Sequence, residues 1–351
     1  MILKDSLTRE WIDSVSRKYK ADKILTEKAI RALVLLEGLA HSPLQFIFKG
    51  GTALMLLLPR PHRLSIDIDI LVPPQACIIE SVLNQICDEG CFSRFEIQER
   101  QQITQIPKSH YKLFYTSAVE GKESSILLDI LYETNPYQQL EAVAINSIFV
   151  SGFMPYTKVQ VPDINNILGD KLTAFAPTTI GVPYHKGNKS CGKEIIKQLY
   201  DIGNLFDFTN NITAVINCYR NIAEREIAYR GLECKIDEVL QDTMDTALSL
   251  CLRTNYGKGV FSVLQNGIKQ VGNFIYSESY YIERAIISAA KAAYLSKLIE
   301  KGISEVHHYK PERQKELADA VIVEPLPTKF NKFKKSNIEA FYYWNEIQKL
   351  M

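Results

Sequence analysis

Two aspartates one residue apart, Asp67 and Asp69, stand in the run Leu64–Val72, LSIDIDILV. In an extended chain the side chains alternate between faces. Both carboxylates therefore share one face, and Ile66, Ile68 and Ile70 take the other. Neighbouring carboxylates repel each other and are costly to desolvate. A cation removes both costs, and an all-oxygen donor pair suits Mg²⁺ or Mn²⁺ and the phosphates these metals carry. Upstream, Gly50 and Gly51 open a short helix whose first N–H groups have no intrahelical partner, a ready anion site. Gly50, Gly51 and Thr52 would hold a triphosphate through backbone N–H groups and the threonine hydroxyl. A plain tight turn is the simpler reading of the two glycines taken alone. Ser65 shares a strand face with the aspartates, and Arg63 joins it if the strand reaches so far. A phosphate cradle beside a metal-binding carboxylate pair is the equipment of phosphoryl or nucleotidyl transfer.

The run GGTAL followed by RLSIDID resembles the signature of the AbiEii-like nucleotidyltransferase toxins, a branch of the DNA polymerase β-type nucleotidyltransferase superfamily. The resemblance is close over Lys49–Leu71, returns at Leu128–Leu131 and again over Leu168–Phe206. It implies that Arg63 and Ser65 lie near the nucleotide phosphates. Asp129, in SILLDILYE, becomes the third carboxylate, and an ionised carboxylate between Leu128 and Ile130 needs a partner in any case. Asp67, Asp69 and Asp129 would then hold two metals about 4 Å apart, with Asp129 also helping to deprotonate the acceptor hydroxyl. The resemblance further assigns Lys171 to the triphosphate or the transition-state charge, and Asp201 to orienting Lys171 or binding base or ribose. A surface ion pair holding a helical hairpin is the plainer reading of these two residues.

The implied reaction moves a nucleoside monophosphate from an NTP to a hydroxyl, with RNA, a tRNA 3′ end, as the expected acceptor. The implied setting is the toxin of a toxin–antitoxin or phage-defence system, with an AbiEi-like antitoxin encoded alongside. The alternatives are transfer of a nucleotide or phosphate to a protein side chain, and a nucleotide- or RNA-binding module without catalysis.

Residues 5–40 read as two helices covering a sheet, with Leu25, Ile30, Leu33, Leu36 and Leu39 near helical spacing. Phe46–Phe48 reads as a strand, and Thr52–Leu58 as a helix stopped by Pro59 and Pro61. Leu64–Val72 is the carboxylate strand and Gln75–Glu89 an amphipathic helix. Phe92–Gln98, Tyr111–Ser117 and Ser125–Tyr132 alternate as antiparallel strands, and two more short strands are expected between Phe149 and Val161. From Pro162 the pattern turns helical, starting with Asp163–Phe175, for which Asp163 is the expected N-cap. Lys193–Asp207 follows, then helices near 210–230, 235–252, 257–271, 278–300 and 336–349. The fold class is thus α+β: a polymerase β-like core, residues 1–161, with a mixed or antiparallel sheet, followed by a helical domain, 162–351, that contributes Lys171 and Asp201.

Residues 177–193 form a polar, punctuated loop. Its lysines Lys186, Lys189 and Lys193, with Lys197 just after it, could meet a polynucleotide together with Tyr184 and His185; a charged, solvated loop is the equal alternative. Lys329–Lys335, KFNKFKK, is a second basic-aromatic stretch that could meet single-stranded RNA, although an amphipathic linker whose phenylalanines pack inward is the favoured reading. With a net charge of +1, any nucleic-acid surface must be local. The 351 residues exceed one typical domain. No apolar run is long enough for a membrane span, and the N-terminus is charged where a signal peptide is apolar. Seven cysteines without a CxxC pair form neither a zinc site nor a disulfide framework, which fits reduced thiols in the cytoplasm.

Overall fold

The computed structural model describes residues 1–60, 62–74, 78–98 and 107–351. Contacts divide it into two compact units. The first comprises Met1–Asp163 and Gly272–Ser279; the second comprises Ile164–Val271 and Tyr280–Met351.

The first unit opens with helices α1 (Arg9–Tyr19) and α2 (Lys23–His41), capped by Thr8 and Asp22. Strand β1 (Ile47–Lys49) runs directly into α3 (Gly50–Leu57), and β2 (Asp67–Val72) carries the aspartates. Helix α4 (Ile79–Asp88) follows. The expected start of that helix at Gln75 lies outside the described residues, as do Pro61 and Cys77. Strands β3 (Arg94–Ile97), β4 (Lys108–Thr116) and β5 (Glu123–Tyr132) complete a five-stranded sheet of order β1-β2-β5-β4-β3. Among the described residues only the β2–β5 pair of this sheet is parallel, so the sheet is mixed. Two further strands, β6 (Leu140–Ala144) and β7 (Lys158–Pro162), pair separately, the first earlier than the expected Phe149.

The alternation in β2 sets the orientation of the sheet. Ile68 and Ile70 are fully buried, whereas Asp67 and Asp69 are half-buried on the opposite face. Burying each isoleucine contributes about 1.5–3 kcal/mol, which holds the strand in one register. The covering helix α2 is less purely apolar than its periodicity suggests. Its buried Glu27 accepts hydrogen bonds from Ser117 Oγ at 2.6 Å and Ala118 N at 2.7 Å, tying the helix to the end of β4. Arg31 donates to the Cys91 carbonyl and lies over the Tyr115 ring. A satellite core joins Ile12, Val15, Ile30, Met55, Leu64 and Phe149. Tyr276, from the returning segment Gly272–Ser279, packs edge-on against Phe149 at 5.4 Å.

The second unit is helical: α5 (Ile164–Ala174), α6 (Gly192–Phe206), α7 (Ile212–Tyr229), α8 (Ile236–Leu252), α9 (Phe261–Val271), α10 (Ile282–Lys301), the single turn α11 (Phe333–Ser336) and α12 (Ile338–Lys349). Between α5 and α6 the expected loop holds a small hairpin, β8 (His185–Lys186) with β9 (Lys189–Ser190). It turns at Gly187, whose φ of +58° suits glycine. The loop is anchored by Asp242 of α8, which accepts from Thr178 N and Thr179 Oγ1, both at 2.8 Å. Tyr184 is buried with its hydroxyl beside Thr246, so it offers no ring for stacking on a polynucleotide. The C-terminal KFNKFKK stretch resolves in the same direction. Phe330 is buried against Phe333 and Trp344, Lys334 is held by the Ala318 carbonyl, and Lys329, Lys332 and Lys335 are exposed. Among the described residues, no helix is long and apolar enough to cross a membrane. Cys87, Cys91, Cys191, Cys218, Cys234 and Cys251 are free thiols.

Candidate active site

One transverse row of the sheet carries the chemistry. In the strand registers Lys49 pairs with Asp69, Asp69 with Asp129, and Asp129 with His110. Paired residues on adjacent strands point to the same face. Lys49, Asp69, Asp129 and His110 therefore stand side by side across β1, β2, β5 and β4. Asp67 joins them two residues along β2, beside Leu127. The parallel β2–β5 pairing is what brings the third aspartate next to the first two.

The glycine turn is built against this row. Gly50 has a φ of +82°, a left-handed conformation that disfavours any side chain. A Cβ there would also lie 2.1 Å from Asp69 Oδ2. At Gly51 a Cβ would lie 2.6 Å from Arg63 Nη2 and 2.8 Å from Ser65 Oγ. The start of α3 thus approaches Asp69, Arg63 and Ser65 as closely as backbone permits. The N-cap residue Lys49 makes no side-chain cap, and the first turn stands beside a guanidinium and a hydroxyl. That is a fitting lining for an anion.

Thr52 serves differently from the expectation. It is fully buried, and its hydroxyl donates to the Asp67 carbonyl at 2.5 Å. A hydroxyl engaged there does not hold a phosphate; it pins the glycine turn to the carboxylate strand. Arg63 and Ser65 lie outside β2, so the strand does not extend to them. Arg63 instead forms a bridge with Ile275, Leu64 N donates to the Phe274 carbonyl at 2.8 Å, and Ser277 Oγ donates to the His62 carbonyl at 2.9 Å. The returning segment Gly272–Ser279 is what fixes this stretch. Arg63 is buried, and its Nη1 donates to the Leu64 carbonyl at 3.0 Å.

The sequence reading missed His110. Its Nδ1 lies 2.6 Å from Asp129 Oδ1. The expected strand began at Tyr111, three residues after the actual start of β4 at Lys108. The available signal was parity: Lys108, His110 and Lys112 alternate with the buried Tyr111 and Leu113 and so face the carboxylate side.

Three acidic side chains on one sheet face supply the hard oxygen donors that Mg²⁺ or Mn²⁺ prefers, so the donor chemistry fits such a cation. Among the described residues, no three His, Cys, Asp or Glu side chains are already gathered around a single point.

In the helical unit, Lys171 of α5 and Asp201 of α6 form an ion pair with Nζ–Oδ2 at 3.0 Å. Lys171 also donates to Gln198 Oε1 at 3.0 Å. The side chains are only 9% and 3% exposed, so this is a buried pair and not the surface pair of the plainer reading. Close helix packing at Gly169 supports it. A Cβ there would lie 2.8 Å from the Val215 carbonyl of α7.

The family model described as "Nucleotidyl transferase AbiEii toxin, Type IV TA system" matches residues 34–260. No curated protein matches the sequence. Among solved structures, the chain resembles MenT4, a nucleotidyltransferase toxin from Mycobacterium tuberculosis H37Rv. That match has 12% identity and a TM-score of 0.53, and it covers 94% of this chain and 98% of the other. It also matches JHP933 from Helicobacter pylori at 15% identity and a TM-score of 0.43, covering 86% of this chain and 98% of that one.

Proposed function

Because this chain belongs to the AbiEii nucleotidyltransferase toxin family, and is thereby a nucleotidyltransferase, we propose that it moves a nucleoside monophosphate from an NTP to a hydroxyl of RNA, a tRNA 3′ end being the expected acceptor. The observation that carries this reading is the row of Asp69 and Asp129 with Asp67 alongside, built against the Gly50–Gly51 turn. The acceptor oxygen attacks the α-phosphorus. A new P–O bond forms, the α–β phosphoanhydride breaks and pyrophosphate leaves. Asp67, Asp69 and Asp129 would hold Mg²⁺ or Mn²⁺, which when bound neutralises charge on the phosphates and polarises the attacking hydroxyl.

The chain's own residues do the rest. The backbone N–H groups at Gly50 and Gly51, with Arg63 and Ser65, receive the triphosphate. Asp129 takes the proton from the acceptor hydroxyl. The family resemblance assigns Lys171 and Asp201 to the same reaction, Lys171 on phosphate charge and Asp201 orienting it. Lys186 and Lys189, exposed on the β8–β9 hairpin, offer contacts for an acceptor's phosphates. An AbiEi-like antitoxin encoded alongside is the expected partner.

The test is label transfer. Protein, Mg²⁺ and bacterial tRNA are incubated with each α-labelled NTP in turn, beside Asp67→Asn. Label on RNA that disappears in the variant supports the reading and names the nucleotide. Label on protein moves the acceptor to a side chain. Absence of label with every nucleotide, while NTP still binds, sinks the reaction.

A further inference from the structure

His110 has no place in the reaction as written, yet its Nδ1 lies only 2.6 Å from Oδ1 of Asp129, one of the three aspartates. An ionised carboxylate only accepts hydrogen bonds, so Nδ1 of His110 carries the proton in this contact. We propose that His110 is a positioning residue for nucleotidyl transfer. Its Nδ1–H holds Oδ1 of Asp129 and thereby presents Oδ2 to the acceptor hydroxyl. The proposal rests on Asp129 being the third carboxylate.

The sheet makes this arrangement rigid. His110 and Asp129 are direct partners in the antiparallel β4–β5 ladder, which runs unbroken from Lys108–Leu131 to Thr116–Glu123. On its other side Asp129 is flanked by Asp69. The last torsion of an aspartate is broad and nearly two-fold, so Asp129 alone would have no fixed oxygen. Repulsion from Asp69 would turn its carboxylate away from the site. A charge-assisted hydrogen bond from the opposite side opposes that rotation. The pair is shielded enough to matter, with His110 at 16% and Asp129 at 33% exposure. Partners that orient the carboxylates of such sites typically change activity by about 10–100-fold when removed.

Label transfer with His110→Ala, His110→Asn and His110→Gln tests the proposal, with Asp129→Asn run in parallel. The asparagine amide nitrogen can take the place of Nδ1, and the longer glutamine places its amide elsewhere. His110→Ala is expected to lower kcat by about 10–100-fold with the KM for nucleotide little changed. His110→Asn is expected to recover most of the loss and His110→Gln little of it. An unchanged kcat in His110→Ala, or an equal deficit in His110→Asn, overturns the proposal. Activity retained by Asp129→Asn instead overturns the reading on which it rests, and the two failures are thereby distinguished.

A second readout needs no turnover. Nitrogen-resolved spectra of histidine-labelled protein report which ring nitrogen carries the proton. His110 is expected to be protonated at Nδ1 and to change its signature in Asp129→Ala. A neutral His110 protonated only at Nε2 in the unmodified protein overturns the proposal.

Discussion

The sheet row of the first unit and the Lys171–Asp201 pair of the helical unit treat charge in opposite ways. On the sheet, three carboxylates share one face with a lysine at one end of the row and a histidine at the other. Like charges are crowded there on a rigid frame, an arrangement that stability alone would not select. In the helical unit, one cation meets one anion at 3.0 Å with both nearly excluded from water. Such a pair is self-sufficient, and a structural role accounts for it as well as a catalytic one. A cluster of like charges on one face therefore points to a ligand more strongly than a buried, satisfied pair does.

The comparison is sharpened first by removing a sheet carboxylate. Asp67→Asn is expected to lower transfer by about 10³-fold or more, the scale of removing an electrostatic group from a reacting centre. Its melting temperature should change little, because asparagine keeps the shape of this half-buried side chain. A large fall in melting temperature would make Asp67 structural and erase the contrast.

Lys171→Met comes next. It leaves Asp201 buried and unpaired, which should destabilise by about 3–5 kcal/mol in chemical denaturation. The double variant Lys171→Met/Asp201→Leu should recover most of that stability. Transfer that recovers with it makes the pair structural; transfer that stays lost gives the pair a part in the reaction.

Gly50→Ala meets both the left-handed backbone and Asp69 Oδ2. A strain of about 1–3 kcal/mol is expected, with activity falling more than stability because Asp69 is displaced. Equal effects on both would place the glycine in the fold alone.

Adding Mg²⁺ or Mn²⁺ should raise the melting temperature of the unmodified protein, by about 1.4 kcal/mol of stability at tenfold the dissociation constant. The rise should vanish in Asp67→Asn/Asp69→Asn and persist in Lys171→Met/Asp201→Leu. Metal stabilisation that ignores the aspartates would place the cation elsewhere.

The smallest effect concerns His307, whose pKa is raised chiefly by its hydrogen bond to Glu346. A raised folded-state pKa contributes stability below the unfolded value near 6.5 that is lost as pH rises through the folded value. The stability gap between the unmodified protein and His307→Ala should therefore narrow as pH climbs above neutrality. A gap that widens would assign the contact another origin.

The sequence reached Asp67 and Asp69 because a strand's two-residue period is local: the isoleucines must face the core, so the aspartates cannot. It reached Gly50 and Gly51 because few residues tolerate such a turn. It misjudged Thr52, whose hydroxyl meets a carbonyl fifteen residues away in sequence, and Tyr184, whose ring is buried near α8. Neither contact leaves a trace in local spacing. His110 escaped because strand boundaries depend on which residues find ladder partners, and Lys108–His110 find theirs in Asp129–Leu131 of β5, distant in sequence.

Residue types and periodicity by themselves determined an α+β chain, a carboxylate strand after a glycine turn, and helices after Pro162. Each of these follows from interactions within a few residues. Only the tertiary structure decided that β2 and β5 run parallel, that Asp129 stands beside Asp69 with His110 on its other side, and that Gly272–Ser279 returns to brace Arg63. These are pairings between distant segments. Backbone hydrogen bonding is the same for every residue type and so leaves no mark in the sequence; the choice among pairings falls to the burial of the whole core.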